Sequence, residues 1–166
     1  MSNLLVQNIK HTNGTVAQTI DSTGRITTPA RPVFKASILT QTGRSTHTSI
    51  EVSPYDTVQT NVGSHFNTST HTFTVPVAGE YFFSISQNKY GKLIVYLYKN
   101  GSVFHAGEFL HDSGSNWEHC TISTVVTCAV DDTIQARHKL VDNGGTQYAW
   151  NGGSPTWDSF SGFLMG

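Results

Sequence analysis

Eight histidines, two cysteines and one aromatic loop are the residues of this chain best equipped for chemistry. The histidines are His11, His47, His65, His71, His105, His111, His119 and His138. Intervals such as His65 to His71 and His105 to His111 fit neither an HExxH helix nor a Cys/His zinc pattern. They read as polar strand and loop side chains, and no metal or other cofactor is expected. Asp112, Asp131 and Asp132 match no calcium or zinc spacing either. His111-Asp112-Ser113 contains the letters of a hydrolytic triad, but consecutive residues cannot form the spatial ring of nucleophile, base and orienter. No G-x-S-x-G elbow or phosphate-binding glycine loop occurs. No catalytic residue, and no enzyme, is expected.

Cys120 and Cys128 lie in a run that alternates Cys120, Ile122, Thr124, Val126, Cys128 on one side. In one extended strand they stand about 26 Å apart, from eight steps of about 3.3 Å, too far for a disulfide. Two buried free thiols follow, which suits assembly in a reducing compartment. The stretch 148–158 joins Tyr148, Trp150, Asn151, Trp157 and Asp158 in a Gly/Pro-rich loop before the last apolar run. Exposed indole faces there can stack on sugar rings while Asn151 and Asp158 hydrogen-bond hydroxyls, which makes a glycan the candidate ligand. The alternative is that Trp150 and Trp157 pack in the core or between subunits, where tryptophan is common.

These residues must be positioned by strands. Charged residues are 13% of the 166, against about 25% in ordinary domains, and 17 Ser with 22 Thr leave a surface solvated by neutral hydroxyls. Thr, Val, Ile and the aromatics fit a pleated sheet, and Gly, Asn and Ser supply its turns. Ten short strands are expected, beginning near Val33, Ser49, Val58, Thr72, Tyr81, Leu93, Val103, Cys120, Thr133 and Ser159, with Pro76 to Gly79, Asn100-Gly101 and Asp131-Asp132 as turns. The formal charge of -1 lacks the basic excess that gathers phosphates, so nucleic acid is not an expected partner. No apolar run is long enough to cross a bilayer as a helix, and the start, Met1 to Leu5, lacks a basic region leading into an apolar one. No membrane insertion and no secretory signal are expected.

Residues 1–32 are polar, poor in aromatics and closed by Pro29-Ala30-Arg31-Pro32, which reads as a short extended N-terminal segment and linker before a head at 33–166. Val16, Gln18 and Ile20 before Ser22-Thr23-Gly24, then Ile26, suit a small hairpin. Alone such a ribbon is marginal, so it folds against other copies or a partner. Within the head several strands are apolar on both sides: Leu93, Val95 and Leu97 alternate with Ile94, Tyr96 and Tyr98, and Tyr81, Phe83 and Ile85 with a row holding Phe82. A strand with one wet face should alternate apolar and polar. Another copy of the sheet is the expected cover, with Phe82, Ile94, Tyr96, Tyr98 and Phe163 at the contact; the alternative is that exposed Tyr and Phe simply satisfy strand propensity.

Three blocks carry a family resemblance. Tyr55-Asp56-Thr57-Val58, Asn61-Val62-Gly63, Phe66-Asn67, Phe73, Pro76, Gly79, Tyr81 and Phe83 form the first; Val95 to Gly101, ending Lys99-Asn100-Gly101, the second; Ser159-Phe160-Ser161-Gly162-Phe163-Leu164 the third. In order and spacing they resemble the globular head of C1q, in the C1q and tumour-necrosis-factor superfamily. The resemblance implies an all-β, ten-stranded jelly-roll sandwich and a homotrimer that recognises ligands on its loops and flanks. It departs in lacking a collagen stalk and in holding His71 where a turn glycine often sits. The opening residues, through Thr15-Val16-Ala17 to Gly24-Arg25-Ile26, resemble small structural proteins of tailed bacteriophages. The expected function is thus a non-enzymatic virion protein, assembled in host cytoplasm, joined to other virion proteins of capsid or tail through residues 1–32, and serving as decoration, fibre or adhesin for a host surface glycan. The alternative is a soluble secreted C1q-like lectin or signalling ligand.

Overall fold

The computed structural model describes residues 6–39, 49–110, 117–141, 148–149 and 157–165. Every regular element among them is a strand. The chain divides into two compact units, Met1–Arg31 and Pro32–Gly166.

The first unit is a three-stranded antiparallel meander, β1 (Asn8–Lys10), β2 (Val16–Ile20) and β3 (Ile26–Thr27), with β2 central. The hairpin read from sequence is β2–β3, and β1 is a third strand that sequence missed. Asp21 builds the hairpin turn: one carboxylate oxygen accepts the amides of Thr23 (2.9 Å) and Arg25 (3.0 Å), the other the Arg25 guanidinium (2.8 Å). These bonds, with that from the Thr23 hydroxyl, hold its carboxyl well below the usual range. The segment is therefore not simply extended. The proline-flanked stretch also departs from expectation: the Arg31 amide donates to Thr28 O at 3.0 Å, because Pro29 sits where its fixed φ favours a turn.

The head is a sandwich of two antiparallel sheets. One runs in the order β12 (Glu118–Cys128), β9 (Gly79–Lys89), β14 (Ser159–Leu164), β4 (Val33–Ser37), β6 (Thr57–Val62). The other runs β11 (Ser102–Phe109), β10 (Leu93–Lys99), β13 (Thr133–Leu140), β8 (Thr72–Thr74), β7 (Phe66–Asn67), with β5 (Glu51–Val52) also paired to β13. The jelly-roll-type sandwich expected from sequence is what forms. The strand absent from the sequence reading is β7, too short for a periodic signal. It pairs with β8, Phe66 opposite Phe73 and Asn67 opposite Thr72, and the Asn61 side chain also holds it, donating to Phe66 O at 2.9 Å and accepting the Phe66 amide at 3.0 Å. Gly63, at φ +79, turns the chain back between them.

Period-two alternation sends Tyr81, Phe83 and Ile85 of β9 and Leu93, Val95 and Leu97 of β10 into one core. Phe34 is its hub, with ring centroids 4.9 Å from Phe66, 4.7 Å from Phe73 and 4.9 Å from Phe160. The Asn100-Gly101 turn has both residues at positive φ, 51 and 77, the conformation a tight hairpin requires. His71, at φ 53, keeps the left-handed turn that glycine would fill, and its Nδ1 lies 3.1 Å from Tyr55 O.

Gly162 lets β14 pass under the aromatic core. A methyl group there would overlap the Phe83 ring and stand 2.8 Å from Cε1 of Phe34. Since both rings are buried, Gly162→Ala is expected to destabilise the head by about 1–3 kcal/mol. A denaturant midpoint unchanged from the parent would contradict this.

Candidate recognition surfaces

The outward side of the five-stranded sheet is built by register. Val125 faces Phe82, Phe82 faces Phe163, Phe163 faces Val33 and Val33 faces Val62. One apolar residue from each of five strands thus forms a continuous cross-strand row, and Phe82 and Phe163 touch with centroids 5.5 Å apart. Phe163 remains 41% exposed and Val125 45%, so the row faces outward uncovered. The two neighbouring rows are hydroxylic: Ser123, Ser84 and Ser161 beside Lys35, then Thr121, Ser86, Ser159 and Ser37. Short side chains there let a second flat surface approach closely.

The structure divides the five residues expected at a subunit contact. Phe82 and Phe163 belong to this row. Ile94, Tyr96 and Tyr98 point outward from the other sheet, on the opposite side of the sandwich. The β10 aromatics already have a cover from their own chain. The Arg137 guanidinium lies 4.3 Å over the Tyr98 ring, leaving it 8% exposed, and is held there by Gln135 Oε1 at 2.8 Å. Tyr96 packs edge-on against Tyr98 at 6.1 Å, while Ile94 stands between Glu108 and Lys139. Cation–π contact with Arg137 thus covers Tyr98 from within the chain, while Ile94 and Tyr96 stay half-buried.

The expected ligand loop is changed in a similar way. Trp150 and Asn151 lie outside the described residues. Asp158 is no ligand-facing carboxylate: it is fully buried, and its Oδ1 accepts the Asn88 amide at 2.7 Å, pinning the entrance of β14 to β9. Trp157 is 40% exposed. Tyr148 exchanges two 2.9 Å backbone hydrogen bonds with Tyr90 and meets Trp117 at 5.6 Å, while Trp117 meets Tyr90 at 5.7 Å. The resulting three-ring cluster includes Tyr90 and Trp117, which sequence reasoning missed because they lie 58 and 31 residues before Tyr148. Rings this close fill one another's space, so the cluster is a platform rather than a cage.

The titratable interior is structural. Ser53 Oγ and His138 Nδ1 lie 3.0 Å apart, a nucleophile–base pair in outline, but both residues are fully buried. Lys89, only 2% exposed, donates to Glu118 Oε2 at 2.6 Å and Gly91 O at 2.9 Å. His111-Asp112-Ser113 lies outside the described residues. Among the described residues, no group of three or more His, Cys, Asp or Glu is gathered for a metal ion.

Both cysteines are free and buried on the inward side of β12. Burial pushes Cys120 up to about 12 and Cys128 up to about 11. Neither thiol ionises at neutral pH, so an aromatic disulfide reagent at pH 8 is expected to find no thiol in the native protein and two after denaturation. Rapid native labelling of either would contradict their burial.

Asp132 organises the turn end of the head. Its carboxylate accepts the Asn100 amide group (2.7 Å) and the Ala129 backbone amide (2.8 Å), and Lys99 Nζ lies 2.9 Å away. These bonds, that from Asn100 foremost, lower it from 3.8 to about 2. The folded form is therefore favoured above pH 4 and loses that advantage as the pH falls from about 4 to 2. Asp132→Asn is expected to flatten the stability–pH curve in that window; an unchanged slope would show that this carboxylate plays no part.

Among the described residues, a two-sheet jelly-roll-type sandwich thus carries an outward apolar row and an aromatic cluster. The chain belongs to the C1q domain family, whose model matches residues 33–165. It is 28% identical over 114 residues to complement C1q tumor necrosis factor-related protein 3 of Mus musculus and 30% identical over 117 residues to that of Homo sapiens. Each alignment covers 67% of this chain, and the chain spans 43% of either relative's length. Its fold is similar to the globular domain of zebrafish complement 1qA (TM-score 0.63, 18% identity, 81% of this chain and 98% of that one). It is also similar to murine APRIL (0.59, 10%, 81% and 99%) and to Eiger TNF from S. frugiperda (0.54, 12%, 82% and 94%).

Proposed function

We propose that this chain is a non-enzymatic recognition head that assembles as a homotrimer and acts as a soluble, secreted C1q-like lectin or signalling ligand of glycan or protein. The observation that carries the assembly is the row Val125, Phe82, Phe163, Val33 and Val62, an apolar band across a whole sheet in which Val125 and Phe163 stay more than two-fifths exposed. Three copies around an axis bury that band and leave the Tyr90–Trp117–Tyr148 platform at the far end of the same strands. Linked sites strengthen weak contacts by about 10²–10⁴-fold without new chemistry. The C1q relatives support this reading above the virion one, because the residues that motivated virion attachment, 1–32, precede the family match. Light scattering on the purified full chain tests assembly, with a three-chain mass expected at micromolar concentration. Glycan and cell-surface binding by that particle-free protein tests the soluble reading. A monomer at high concentration removes the first, and binding only after incorporation into a virus particle removes the second.

A further inference from the structure

The meander of residues 6–31 is folded yet has no interior. No described residue in it is buried. Its apolar side chains are nonetheless sorted: Val16, Gln18 and Ile20 alternate onto one face of β2, where Gln18 faces Ile9 of β1 and Ile20 faces Ile26 of β3. The centre of that face, Ile9, Gln18, Ile20 and Ile26, is uncharged, and Lys10 stands opposite Val16 at one end. It carries a knob, Ile26, 62% exposed, and a depression lined by Val6, Gln7, Ile20, Asp21 and Ser22. With Ile9 48% and Ile26 62% exposed, so small a sheet gains stability when this face is covered.

We infer that the cover is the meander of another copy of this chain, Ile26 of each copy seating in the Val6–Ile20 depression of the next, so that three meanders close a ring. Tethering selects this occupant. Five residues separate β3 from β4, a reach of at most about 20 Å. The head strand they enter begins at Val33, itself part of the apolar row and opposite Phe163. Copies joined through that row therefore hold their meanders at a high effective concentration. The knob Ile26 is apolar, and the depression that would receive it presents Val6 and Ile20. Knob and depression are different parts of one surface, so the contact runs head to tail, and such contacts form rings when the rotation closes. This inference rests on the trimeric reading of the head.

The test is the full-length Val6→Cys/Ile26→Cys double variant under mild oxidation. Within one chain β2 lies between these positions, which places them about 9–10 Å apart, beyond the reach of a disulfide. Both are exposed, so folding is not at risk. The expected result is a covalent ladder ending at three chains on a non-reducing gel, absent in each single variant's trimer band. A three-chain mass by light scattering with only single-chain bands on the gel overturns the meander contact and leaves the head trimer standing. A single-chain mass for the unmodified protein overturns both.

Discussion

Phe34→Ala is expected to cost the head about 3–5 kcal/mol, the range for deleting a buried ring that its surroundings cannot refill. Phe34 belongs to β4 of one sheet but stacks on Phe66 and Phe73 of the other, and it takes the edge of Phe160 from its own. Its removal opens a void where the two sheets are held together. These three neighbours cannot all move inward, because each is fixed by its own strand pairing. Against a total stability of about 5–15 kcal/mol, that loss leaves the domain marginal at 37 °C. Phe34→Leu, which keeps much of the volume, is expected to lose substantially less. Chemical denaturation of both variants checks this, and a loss below about 1 kcal/mol for the alanine would mean that the aromatic cluster repacks.

The second large effect concerns assembly. Phe82→Asp with Phe163→Asp places two carboxylates where the apolar row is proposed to be buried between copies. Truncating a central aromatic typically costs about 2 kcal/mol or more, and an unpaired buried charge adds several. The association constant should fall by at least about 1,000-fold, so the variant is expected as a folded monomer at micromolar concentration. Folding should survive because Phe82 and Phe163 lie outside the inter-sheet core. Val103→Asp, on the edge strand β11 of the other sheet and 52% exposed, is the control expected to leave the mass unchanged. If the double variant keeps its three-chain mass while Val103→Asp loses it, the interface lies on the wrong sheet.

The boundary between what was legible and what was not follows the range of the forces involved. Strand alternation, the Asn100-Gly101 turn, the crowding at Gly162 and the inward thiols of Cys120 and Cys128 are all properties of neighbouring residues, and each stands in the structure as the chain announces it. The two-residue strand β7 was not legible, because it is too short for a period and rests on pairing with β8 and on the side chain of Asn61.

Apolarity on both sides of a strand announces that something covers it, yet says nothing about what. For β10 the cover is Arg137, brought over Tyr98 by the pairing of β10 with β13. For β9, register aligns Phe82 with four apolar partners drawn from positions 33 to 163, and Phe163 and Val125 among them stay exposed. Asp158 and Tyr148 look alike in a polar aromatic loop, but one is drawn inside by the Asn88 amide and the other joins Tyr90 and Trp117. The sequence by itself determined the all-β class, the family and the inward face of each main strand, since a two-residue period and turn chemistry act locally. Only the tertiary structure decided which outward faces remain open, because that depends on contacts between residues far apart in the chain.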